Sequence, residues 1–332
     1  MKAQLLTHYS SVDYSPLELV DSPRPEPKAG EVLIKVAACG VCHTDLHLVE
    51  GELSHKNLPI IPGHQIVGTI HETGEKVTRW KKGDRVGVPW LYSACGQCEF
   101  CKTGRENLCD NGRFTGYHVN GGFAEFVVAK EEFVYRLPHA LSDVQAAPLL
   151  CAGVIGYRAV RLSDIRPGGR IGLFGFGASA HIAIQILHHC NCEVYVFTRT
   201  EKHRQLAKDL GATWTGAASD KPPHQIESAV IFAPAGELVP AALRVLQKGG
   251  TISLAGIHMS TIPAMEYSLL YEERTVRSVA NSTRLDVEGL LDMASIISVK
   301  TEVESYPLDE ANQVLQRMKR SEIRGSAVLT IG

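Results

Sequence analysis

Four cysteines crowd into one short stretch, Cys95-x2-Cys98-x2-Cys101-x7-Cys109, within SACGQCEFCKTGRENLC. Gly96 and Gly104 allow the chain to turn tightly, so four thiols can surround one tetrahedral ion. Four thiolates leave no open coordination position, which makes a zinc site of this kind structural. Two other readings start from the same residues: four unrelated buried cysteines, or an iron–sulfur cluster. Cluster motifs that begin C-x2-C-x2-C place the fourth cysteine three residues later and before Pro. Here it follows after seven residues and precedes Asp110, so the spacing favours zinc. A zinc-ribbon nucleic-acid module is disfavoured, because ribbons split their ligands between two distant C-x2-C knuckles.

The chain has nine cysteines in 332 residues, too few for a disulfide scaffold. Their odd number suits metal chemistry in a reducing compartment. The length predicts two domains. Hydrophobic residues at 44% and charged residues at 21% exclude a disordered chain. A net charge of −2 implies neither a nucleic-acid-binding stripe nor an acidic tail. The opening MKAQLLTHYSSVDYS lacks the apolar core of a signal peptide. The longest apolar stretch, about 146–157, is broken by Pro148 and is too short to span a bilayer. The expectation is a cytoplasmic protein with no membrane or nucleic-acid partner.

Up to about residue 150 the pattern is that of short strands: 31–37, 66–70, 85–88 and 124–129. Gly and Pro separate them, as in SPRPEPKAG at 22–30, and a barrel-like or sandwich-like β core is expected. Beyond 151 the texture alternates. A buried strand is predicted at 170–174, a helix at 178–188, a strand at 193–198 and a polar helix at 201–210. Further strands are predicted at 228–233 and 251–255. Units of roughly 30 residues in this order mean right-handed βαβ and a parallel sheet.

A second group of candidate ligands is scattered: Cys42, His64 and Cys151. Three N/S donors would leave one position open, as catalytic zinc requires. Asp45 is a candidate to hold His64 in the correct tautomer. In the alternating half, Gly175-Phe176-Gly177-Ala178-Ser179-Ala180 follows a predicted strand and opens a predicted helix, the context for pyrophosphate binding. Gly175 makes the turn, Gly177 lets backbone approach phosphate, and Ala180 permits close helix–sheet packing. The next strand ends Thr198-Arg199-Thr200, with no acid to hold a ribose 2′-OH and a guanidinium available for a 2′-phosphate. That chemistry favours NADP(H) and leaves NAD(H) open.

GVCHTDLH at 40–47, PGH at 62–64, VPWLYSACGQCEFCKTGRENLC at 88–109, GYHVNGGFAEF at 116–126 and APLLCAGV at 147–154 occur in family order over nearly the whole chain. Together they resemble the zinc-dependent alcohol dehydrogenases of the medium-chain dehydrogenase/reductase family. TRT at 198–200 and AGIHMS at 255–260 are similar to bacterial cinnamyl-alcohol-dehydrogenase-like members. The resemblance implies an α/β fold: a GroES-like β-rich catalytic domain, 1–150 plus 288–332, with a Rossmann domain at 151–287 inserted. It also implies two zinc ions. Cys42, His64 and Cys151 fall on the catalytic ligands, and Cys95, Cys98, Cys101 and Cys109 on the structural ones. Thr44 and His47 occupy the family's proton relay, and Trp90, Leu91 and Tyr117 lie on segments near its substrate cleft. The implied activity is reversible hydride transfer between a small primary or secondary alcohol and a nicotinamide, in a homodimer or homotetramer.

Several positions depart from the family. Gln65 replaces the usual Glu, and a neutral amide cannot bring negative charge to zinc. Ile155 stands where a Thr commonly packs on the nicotinamide. Ser326 stands where a phosphate-contacting Arg is usual, with Arg324 two residues earlier. Cys39, Cys190 and Cys192 match no ligand position and read as packing residues. Two alternatives accompany the main reading: a polyol or sugar-alcohol dehydrogenase using the same zinc, and a catalytically silent nucleotide-binding member.

Overall fold

A computed structural model describes residues 1–53 and 58–332. The chain forms two compact units, Met1–Cys151 with Ser282–Gly332, and Ala152–Asn281.

In the first unit, β1 (Lys2–Leu6) and β2 (Leu17–Asp21) form an antiparallel pair. The longest ladder joins β3 (Glu31–Val41) to β4 (Gln65–Thr73), with helix α1 (His43–Val49) between them in sequence. Val32, Leu33, Ile34 and Val36 on β3 are buried and Lys35 is exposed, so β3 is a largely buried central strand of this sheet. β5 (Arg85–Val88) pairs with β4. β6 (Leu91–Ser93) and β7 (Arg113–Phe114) form a small separate ladder, and the short helix α2 (Glu99–Lys102) lies in the excursion between them. β8 (Phe126–Lys130) adds to β3, and β9 (Tyr135–Arg136) to β5. Helix α3 (Asp143–Ala146) and a buried 3₁₀ turn over Ala147–Leu150 then deliver Cys151.

The second unit runs α4 (Ala152–Leu162), β10 (Arg170–Phe174), α5 (Ala178–His189), β11 (Glu193–Phe197) and α6 (Glu201–Asp209). It continues through β12 (Trp214–Gly216), β13 (Ile226–Ile231), α7 (Leu238–Val245), β14 (Leu246–Leu254) and β15 (Thr275–Ser278). All six strands are parallel, in the order β12-β11-β10-β13-β14-β15. This is the doubly wound arrangement, with β10 central and the order of strand addition reversing between β10 and β13. Ile171, Leu173 and Phe174 on β10 are fully buried, and each such side chain contributes about 1.5–3 kcal/mol relative to exposure.

The chain then returns to the first unit through α8 (Arg284–Ile297), β16 (Val303–Pro307), α9 (Ala311–Lys319) and β17 (Ser326–Thr330). The main sheet of that unit is ordered β16-β17-β3-β4-β5-β9, with β8 also on β3. The return begins at Ser282, earlier than the expected residue 288. The reason is local: α8 is one uninterrupted helix capped at Thr283, and its first turn is already bonded to Glu106 of the first unit. Cys151 stays with the first unit because it terminates that unit's buried 3₁₀ turn.

Candidate active site

Cys42 ends β3's excursion and caps α1. Its sulfur accepts from the Thr44 N–H at 3.4 Å, and its own N–H donates to Asp45 Oδ2 at 2.9 Å. His64 precedes β4 and is 1% exposed. Its neighbour Gly63 has φ +96°, and a Cβ there would stand 2.4 Å from the Phe123 ring, so only glycine brings His64 in at this angle. Cys151 comes from the far end of the unit. The three donors nevertheless converge, with every donor atom within 4.8 Å of the others. Cys42 Sγ lies 3.3 Å from His64 Nε2 and 3.9 Å from Cys151 Sγ. Thiolates ~2.3 Å from a tetrahedral zinc would be ~3.8 Å apart, so the sulfur spacing fits such an ion.

Asp45, 1% exposed, organises the donors. Its Oδ1 accepts from the Gly63 N–H at 3.2 Å and lies 3.2 Å from His64 Nδ1. The His64 contact has ion-pair distance but not hydrogen-bond alignment. Burial disfavours charge on His64, yet Asp45 and Cys42 outweigh it and push its pKa up to about 10. The neighbouring Cys151 sulfur and burial push the Cys42 thiol up as well. The cluster is short of positive charge, which a divalent cation would supply.

The other four cysteines also converge, with all donor atoms within 4.8 Å and Cys95 Sγ 3.8 Å from Cys101 Sγ. Backbone N–H groups of Gln97 and Cys98 hold Cys95 down to about 6, while burial and adjacent thiols push Cys101 up to about 12. All nine cysteines are free thiols. Cys39 and Cys192 are buried as packing residues, and Cys190 packs partly buried against the second unit's core.

Thr44 and His47 share α1, and both are half-buried. His47 Nδ1 is hydrogen-bonded to Glu52, a partner that no motif spacing signals. Trp90 lies edge-on to His64, with ring centroids 4.7 Å apart, and stacks on Phe114 at 5.3 Å. Tyr117 lies 5.7 Å from Trp90. Leu91 is 3% exposed on β6, beside an aromatic group formed by Trp90, Phe114 and Tyr117. Phe114 was reachable only by noting a second aromatic ahead of the Tyr117 segment. Gln65 is 2% exposed, and its amide nitrogen has no hydrogen-bond partner.

In the second unit, Gly175 leaves β10 at φ +89°, where a Cβ would meet the Ala233 nitrogen at 2.9 Å. Gly177 caps α5 with nothing within 4 Å of a built Cβ, so the amides of the first helical turn are approachable, as a pyrophosphate requires. Ala180 is fully buried against the sheet. Thr198 is buried at the end of β11, and Arg199 is exposed beside it. Arg204 instead donates to the Thr198 carbonyl at 3.2 Å. Ile155 is half-buried on α4. In the first unit, Ser326 is buried on β17, and Arg324 is paired with Glu302 at 2.7 Å.

Residues 28–139 match the alcohol dehydrogenase GroES-like domain, and residues 178–295 match the zinc-binding dehydrogenase domain. A probable alcohol dehydrogenase AdhA of Mycobacterium tuberculosis is 42% identical over all of this chain and 97% of its own length. An alcohol dehydrogenase of Geobacillus stearothermophilus is 37% identical, covering 100% of this chain and 99% of that relative. Among solved structures, a cinnamyl alcohol dehydrogenase from Sorghum bicolor superposes with a TM-score of 0.90 at 27% identity, over 99% of this chain and 97% of that one. These relatives favour neither the polyol alternative nor the silent one. With a GroES-like unit, a doubly wound nucleotide unit and two convergent donor clusters, the chain belongs to the zinc-dependent alcohol dehydrogenases of the medium-chain dehydrogenase/reductase family.

Proposed function

We propose that the protein interconverts small, weakly polar alcohols and their aldehydes or ketones with NADP(H), using two zinc ions per chain. The observation that carries this reading is the meeting of Cys42, His64 and Cys151 beside the half-buried Trp90. Those three residues would hold the catalytic ion, and Cys95, Cys98, Cys101 and Cys109 the structural one. Zinc supplies Lewis acidity to the substrate oxygen, and the nicotinamide takes up the hydride. Asp45 holds His64 and the Cys42 backbone in place. Thr44 accepts the hydrogen bond of the substrate hydroxyl, and His47, three residues along the same helix, holds the proton before it leaves. Trp90 and Tyr117 offer ring faces to an apolar substituent. Gln65 lies next to His64 and contributes no charge.

Gly175, Gly177 and Ala180 would form the pyrophosphate turn beside Thr198, and the exposed Arg199 would hold a 2′-phosphate. The free thiols suit a reducing, cytoplasmic setting. A homo-oligomer is supported by the open edge of β15, which follows exposed Ile257, Tyr267 and Tyr271. A panel of alcohols and aldehydes with each cofactor tests the reading. NADP⁺ preferred by about 10-fold, or ~1.4 kcal/mol, supports it. A preference for NAD⁺ overturns the role of Arg199, and no turnover overturns the activity.

A further inference from the structure

We infer that Glu52 is a positioning residue for His47, and that the proton released on alcohol oxidation leaves through a His47–Glu52 pair at the C-terminal end of α1. The inference rests on the alcohol dehydrogenase reading above. Beyond α1 the chain turns at Gly51, whose φ is +77° and whose built Cβ would stand 3.1 Å from Tyr9. The turn sends the N–H groups of Glu52 and Leu53 back to the His47 carbonyl, at 2.9 and 3.3 Å. The same turn brings Glu52 Oε2 onto His47 Nδ1. The His47 side chain is 20% exposed and that of Glu52 54%, so the pair leads from the protein interior towards water.

A carboxylate only accepts hydrogen bonds, so Nδ1 carries the proton and Nε2 keeps its lone pair. That tautomer can take a proton, and the carboxylate then stabilises the imidazolium. The step consists of proton transfers alone: one proton arrives at Nε2, one leaves the pair to water, and no bond to carbon changes. Titratable groups described near this end of α1 include His43, whose protonation is disfavoured by burial and by positive charge on His47. His43 lies 6.4 Å away between ring centroids, on the same helix. Glu50 is bonded to Lys319 of α9, which also holds Asp13.

The test compares zinc-loaded wild type with Glu52→Ala, Glu52→Gln and Glu52→Asp. The readouts are kcat and KM for oxidation and ¹⁵N NMR of the His47 ring, assigned with a His47→Asn variant. In Glu52→Ala we expect kcat/KM to fall about 10-fold near neutral pH, short of the loss expected for removing the base itself. The loss should fall on kcat with KM little changed, because positioning the base leaves substrate binding intact. Glu52→Gln should show a similar loss, and Glu52→Asp should restore most of the rate. The Nδ1-protonated tautomer should dominate in wild type and become mixed in Glu52→Ala. Normal kcat and an unchanged tautomer in Glu52→Ala overturn the inference alone. If wild type turns over no alcohol, the activity reading fails, and the NMR arm still decides whether Glu52 sets the tautomer.

Discussion

Asp45 serves two donors at once: it accepts backbone hydrogen bonds from Cys42 and Gly63 while facing His64. Asparagine would keep one acceptor oxygen and lose the charge. We therefore expect Asp45→Asn to weaken zinc binding at this cluster by about 10- to 100-fold, read by chelator competition. Glu31 is a second buried carboxylate, bonded to the Lys28 N–H, the Tyr92 hydroxyl and the Lys130 ammonium. Burial raises its pKa, but Lys130 and the other donors outweigh burial and hold it below the ordinary glutamate value of 4.5. Its contribution to stability is therefore fully present above that value and is lost as pH falls through the lower, folded one. The stability gap between wild type and Glu31→Gln should close over that acid range in urea titrations. At this scale the convergence of Cys42, His64 and Cys151, and of the four clustered cysteines, was legible because ligand chemistry restricts both residue type and spacing. Glu52 was not, because which side chain a post-helical turn carries back is decided by tertiary contacts.

Helix α8 begins with a reciprocal cap. Thr283 Oγ1 accepts from the Asp286 N–H at 3.2 Å, and Asp286 Oδ2 accepts from the Thr283 N–H at 2.9 Å, both residues being buried. We expect Thr283→Ala to cost about 1 kcal/mol, measured as a lower urea midpoint with unchanged slope. The next residue, Arg284, donates from its backbone and its guanidinium to the buried Glu106, which ties the helix start to the cysteine-rich lobe. Elements with a full hydrophobic period were readable to within a residue or two, as for β10 and α5. The β6, α2 and β7 group carries too few residues for any period to show. The cysteines flanking and interrupting it organise it instead.

The two donor clusters predict different responses to metal removal. The four-cysteine lobe contains little apolar packing of its own, so removing a zinc ion bound there, as proposed, should lower Tm and loosen the β6–β7 ladder. The Cys42, His64 and Cys151 cluster sits on strands and turns held by a large core, so its ion should leave with loss of activity and little change in Tm. Stepwise chelation, followed by calorimetry and metal analysis, checks both. The two-unit division has a visible basis in the change of texture near residue 151. The return of the chain to the first unit does not, because nothing local in SAVLT specifies pairing with β3.

That pairing has a consequence for biosynthesis. β17 lies directly against Ala38–Val41, the run that leads into Cys42, yet it follows all of the second unit in the chain. At about 5–20 residues per second, the ribosome exposes Cys42 many seconds before the strand that braces it exists. The nucleotide-binding unit can fold while the sheet beside Cys42 still has an open edge. Zinc delivered early would meet loose thiols rather than a finished site. A zinc ion taken up there would therefore find its finished surroundings only after the last strand has joined the sheet.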